Sequence, residues 1–112
     1  MPISDGTRSE LVRRLLKDIE TTLGPGHEGV VQASIQGAPR ELTDLAEYSH
    51  WVVEDVQQFF HDCYVDTTWP RCPRHLQHPL WLRTSGGTLS WHCERDNVPI
   101  AMLGELDQAS TR

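Results

Sequence analysis

Cys72, His75 and His78 form a C-x2-H-x2-H run, and Cys93 follows after two β-rich segments. A thiolate and imidazoles at this spacing suit an ion that accepts sulfur and nitrogen together, zinc above all. A closed structural zinc site uses four such ligands in a tetrahedron. Pro70 and Pro73 stiffen the turn around Cys72, so less chain freedom is lost when a metal is captured. The stretch from Thr67 to Arg95 that carries these residues holds two of the three cysteines, three of the six histidines and three of the four tryptophans.

A hairpin must bring Cys93 back to the first turn. Leu80–Arg83 and Thr88–Trp91 flank Thr84-Ser85-Gly86-Gly87, and paired glycines between β-rich runs are a hairpin signal. With Gly86-Gly87 as a two-residue turn, Ser85 faces Thr88, Leu82 faces Trp91 and Leu80 faces Cys93. A three-residue turn would pair Pro79 with Cys93 and return the thiol to the same end. Strand residues alternate between faces, so Leu80, Leu82, Trp91 and Cys93 share one face while Trp81 and His92 share the other. His92 and Cys93 therefore cannot both reach one ion, and thiolate is the better zinc ligand. The expected metal ligands are Cys72, His75, His78 and Cys93, with Asp96, in a C-x2-D step after Cys93, as the replacement for His78.

The flanking chain supplies the frame. Leu11, Val12, Leu15, Leu16, Ile19 and Leu23 recur at helical steps and predict a helix over 8–23, capped by Thr7 and Glu10 and stopped by Gly24-Pro25-Gly26. In 29–36, Val31, Ala33 and Ile35 alternate with polar residues and predict a half-buried strand, paired with the hairpin or with a twofold copy of itself. A second helix is expected from Pro39 or Asp44 to Tyr64, packed on the first, with Phe59 on its apolar stripe and Cys63 as a small core thiol. His27, His50 and His61 are read as loop or surface residues. Val98–Leu103 suits a third strand, and Pro99, which donates no hydrogen bond, puts it at an edge. The sequence thus predicts an α+β fold within a single small domain over 1–112. Two N-terminal helices with one intervening strand (7–66) precede a three-stranded zinc-ribbon-like C-terminal module (67–106). Met1–Gly6 and Gln108–Arg112 are expected to fray.

The run Trp69-Pro70-Arg71-Cys72-Pro73-Arg74-His75-Leu76-Gln77-His78-Pro79-Leu80, then Trp91-His92-Cys93, then Ile100-Ala101-Met102-Leu103-Gly104-Glu105-Leu106 resembles a family of small, largely uncharacterised actinobacterial proteins. Val53–Phe60 is similar to a helix that the family carries just upstream. The resemblance covers about the C-terminal half, supports the same ligand set and implies no activity. A proline common after the last cysteine of that family is Glu94 here.

Composition narrows the function classes. The net charge of −6 argues against a protein that coats nucleic acid by neutralising phosphates. Seven acids and no Lys or Arg lie between Glu41 and Asp66, whereas Thr67–Arg95 holds four arginines against Glu94 alone. A nucleic-acid-binding ribbon would use Arg71, Arg74, Arg83 and Trp81. A zinc-dependent hydrolase or deaminase-like enzyme would leave out His78, keep Cys72, His75 and Cys93, and use Glu94 as base. It would, however, lack the H-x-E and P-C-x-x-C signatures of nucleobase deaminases. The favoured expectation is a non-enzymatic, cytoplasmic zinc-binding protein that acts as a protein-interaction or regulatory module, with a homodimer as one form. No apolar run is long enough to cross a membrane, and 1–10 lacks an export pattern. An odd cysteine count without that pattern argues for thiols rather than a disulfide framework.

Overall fold

The computed structural model describes residues 3–63 and 65–106. Three helices, α1 (Asp5–Leu23), α2 (Glu28–Gly37) and α3 (Leu45–Asp62), precede an antiparallel sheet of β1 (Trp81–Ser85), β2 (Thr88–Cys93) and β3 (Val98–Met102) in the order β1-β2-β3. None of these helices is long and apolar enough to cross a membrane.

The segment expected as a strand at 29–36 is instead a helix, so the N-terminal half is three helices and no strand among the described residues. Its alternation is short enough to satisfy both periods. Val31 and Ser34 point inward one turn apart, with Val30 and Ile35 half-buried beside them. Ser34 Oγ donates to Val52 O of α3 at 3.2 Å, which meets the hydrogen-bonding need of a buried hydroxyl. A helix satisfies its backbone internally, so the expected pairing with the hairpin or a second copy is not needed. α2 packs against both α1 and α3, and α3 packs against β1.

α1 begins three residues before the expected start at Arg8. Ser4 is the N-cap, and its Oγ accepts from Thr7 N at 3.2 Å, so Thr7 is the recipient and not the cap. The expected fraying of the N-terminus fails over 3–6, because Ile3 is buried and Asp5 and Gly6 are already helical. Gln108–Arg112 lies outside the described residues. α3 is capped by Asp44, whose carboxylate accepts from Ala46 N at 2.7 Å and Glu47 N at 3.3 Å, and it runs unbroken past Ser49-His50. Tyr64, the expected end of this helix, lies outside the described residues. Phe59 is 43% exposed and Cys63 is exposed, so neither belongs to the core. The buried stripe is Tyr48, Val52, Val53, Val56 and Phe60, and Phe60 already fills the apolar position at that turn.

In the hairpin, Leu82 pairs with Trp91 and Ser85 with Thr88 about Gly86-Gly87, as the two-residue turn requires. Leu80, Leu82, Trp91 and Cys93 are buried, whereas Trp81 and His92 are half-buried on the opposite face. β3, with Pro99, is an edge strand, and the register with β2 shifts at Trp91/His92. Edge-to-face rings join the halves. Phe60 meets Trp69 at 5.3 Å between centroids, and Trp69 meets Trp91 at 5.5 Å.

The buried carboxylate of Asp18 ties α1 to the end of the sheet. It accepts from Trp91 Nε1 at 2.8 Å, Gly104 N at 2.6 Å and Leu106 N at 2.9 Å. Burial pushes its pKa up, and these three donors pull against that rise. Gly104 has φ +94°, and a Cβ there would stand 3.1 Å from Arg14 Cβ, so only glycine brings this amide to the carboxylate without strain.

Candidate metal centre

The first turn is held by its own backbone. Leu80 N donates to Pro70 O at 2.7 Å, Cys72 N to His78 O at 3.0 Å and His78 N to His75 O at 2.9 Å, so 70–80 closes on itself. Gln57 of α3 clamps both strands of this closure, donating from Nε2 to Trp69 O at 3.2 Å and to Leu80 O at 2.9 Å. Inside the turn, the sulfur of Cys72 accepts from the backbone N–H groups of Arg74 and His75. N–H groups aimed at a sulfur favour its thiolate form.

The second turn, Cys93 to Asp96, repeats the device. Asp96 N donates to Cys93 Sγ at 3.4 Å, and Asn97 follows with φ +55°. In both turns a cysteine sulfur takes the amide of the residue three positions on, and that residue (His75 or Asp96) carries a metal-ligating side chain. Cys72 and Cys93 are both buried, and the Cys93 thiol lies near enough to Cys72 to influence it. Burial pushes the Cys72 thiol up, the Arg74 and His75 amides pull it down, and the Cys93 thiol pushes it up again.

The donor atoms of His75, Cys93 and Asp96 lie within 4.8 Å of one another. Zinc bond lengths imply donor separations of about 3.3–3.8 Å along a tetrahedron's edges, so the group needs only a small contraction around an ion. His75 Nε2 is 3.0 Å from Asp96 Oδ2, and Arg74 Nε is 2.7 Å from the same oxygen. The His75 hydrogen bond and the nearby Arg74 guanidinium hold the Asp96 carboxyl below its ordinary range.

Of the four expected ligands, His75 and Cys93 come together within this group, Cys72 lies beside Cys93 but outside it, and His78 lies to one side. Its Nε2 faces Arg95 NH1 at 3.3 Å, and its ring is 6.3 Å from that of His75. Asp96, and not His78, shares the group with His75 and Cys93. The sequence signal for it is the match between Cys72-x2-His75 and Cys93-x2-Asp96. His92, on the opposite face of β2, is half-buried and outside the group.

The basic stretch is largely engaged. Arg71 pairs with Asp66 at 3.4 Å, Arg74 with Asp96 and Arg83 with Glu94, while Arg95 faces His78. Glu94, considered above as a catalytic base, is thus held by Arg83. Trp81 lines a cleft against α3 beside Glu54.

No protein-family model, curated protein or solved structure matches the chain, so the functional reading rests on the residues and their geometry.

Proposed function

We propose that the chain is a small zinc-stabilised protein-docking module whose ribbon is closed by one structural ion on Cys72, His75, Cys93 and Asp96. The observation that carries this reading is the pair of cysteine-led turns, each with its sulfur capped by an N–H three residues on. Zinc accepts this mixture of S, N and O ligands. Two thiolates and a carboxylate hold one more negative charge than the ion neutralises, and the Arg74 guanidinium on Asp96 supplies the balance. Four protein ligands leave no open position for water, which favours a structural over a catalytic ion. The docking role is favoured over nucleic-acid binding because Arg71, Arg74 and Arg83 are spent on carboxylates within the molecule and α3 carries an acidic face.

Native mass spectrometry of the purified protein is expected to find one zinc per chain, and the cobalt-substituted protein should show the absorption of a tetrahedral site with two thiolates. Failure to bind zinc or cobalt, after reduction and reconstitution, overturns the metal reading.

A further inference from the structure

A cleft of about 410 Å³ opens between α3 and the chain entering β1, on the side of the molecule that carries Trp81. Its lining includes Glu54, Gln57 and His61 from α3, with Trp69, Pro79 and Trp81 opposite. Three features converge there. Glu54 has no ion-pair partner among the described residues; Arg83, across a neighbouring depression, is engaged by Glu94. Trp81 is half-buried, with an indole on the outer face of the hairpin. Gln57, only 8% exposed, has an Oε1 without any hydrogen-bond partner.

The orientation of that amide is fixed. Gln57 Nε2 donates to two carbonyl oxygens, and the flipped amide would set its own oxygen against both. Oε1 is therefore turned away from them as an unused acceptor, and a buried acceptor without a donor costs about 1–3 kcal/mol. A carboxylate, an indole and an acceptor in want of a donor together call for a group that is cationic, flat and rich in N–H. Guanidinium has all three properties and stacks on indole as ammonium does not.

We infer that this cleft receives an arginine side chain from a basic segment of a protein partner. The partner's sign follows from α3, since no Lys or Arg lies between Glu41 and Asp66 and the helix carries Glu47, Glu54, Asp55 and Asp62. Such a surface accelerates encounter with a basic segment, and the cleft selects the side chain that anchors it. The inference rests on the docking role proposed above but not on the metal.

The test is an NMR titration of the full chain with acetyl-Gly-Arg-Gly-amide and with its citrulline counterpart, which keeps the flat N–H-bearing group but loses the charge. The arginine peptide is expected to shift the Trp81 indole and Gln57 side-chain resonances saturably, with citrulline binding at least about fivefold weaker. Glu54→Gln and Trp81→Leu should each weaken arginine binding by about fivefold or more. Asp55→Asn, outside the cleft lining, should leave it unchanged. Equal binding of the two peptides, equal weakening by Glu54→Gln and Asp55→Asn, or no saturable shifts would each overturn the inference. Zinc content measured on the same samples separates the two readings. Arginine binding by a protein that cannot take up zinc overturns only the metal, and a zinc-loaded protein that ignores arginine overturns only the cleft.

Discussion

The sheet is tied down at two ends by opposite chemical means. At the Asp18 end, one buried carboxylate meets three donors drawn from β2 and from the chain after β3. Each of those bonds is complete within the chain. At the Cys72–Cys93 end, a buried thiol, an imidazole and a carboxylate converge with a second buried thiol beside them, and such contacts are weaker than the bonds a metal would make. One end is a finished polar contact, whereas the other is a set of donors. On the proposed reading, the domain fastens the same sheet with an internal anion at one edge and leaves the other edge conditional on an ion.

The comparison breaks most readily at the conditional end. Cys93→Ser, or chelation of the wild type, is expected to abolish zinc uptake and remove stabilisation on the order of 10 kcal/mol of metal-binding energy. Hydrogen exchange should then rise at the Cys72 and Asp96 amides, while Gly104 and Leu106, held by Asp18, keep their protection. Simultaneous loss at both ends would show that they are not independent. Asp18→Ala comes next. It strands the Trp91 indole N–H and two amides, and a loss of about 3–5 kcal/mol in denaturant unfolding is expected, with zinc stoichiometry unchanged. Gly104→Ala should cost about 1–3 kcal/mol, because it combines a left-handed backbone with a methyl against Arg14, and thermal unfolding measures it. The smallest effect is assigned to His78→Ala, within about 0.5 kcal/mol and with zinc retained. If His78→Ala releases zinc while Asp96→Ala does not, the fourth ligand is His78.

The two ends were also unequally legible. Gly86-Gly87 pins the register, and strand alternation then separates Cys93 from His92, so the hairpin geometry follows from a few residues. The ligand-bearing turns are local, and local chemistry writes itself as spacing. Asp18 is a contact between residues more than seventy positions apart, which no spacing encodes. Its one sequence signal is its place on the apolar stripe, between Leu15 and Ile19, where a charge demands a partner. α2 was unreadable for a different reason. Eight residues of alternating Val, Ala and Ile fit a strand by period, and only its packing between α1 and α3 decides for a helix. Phe59 follows from the same geometry, since the apolar stripe on α3 is filled by Phe60 and the adjacent position faces outward, whereas Cys63 is the C-cap, past the end of the helix.

Pro99 has a consequence for assembly. β3 forms an outer edge of the sheet, and a proline there removes one donor from the row that an added strand would read. The register shift at Trp91/His92 further disturbs the regular pleat beneath it. A second copy, or a stray unfolded chain, meets an interrupted template and gains little from pairing along β3. Association on that side must be built from side chains, and the protein is thereby guarded against growing into a continuous sheet through β3.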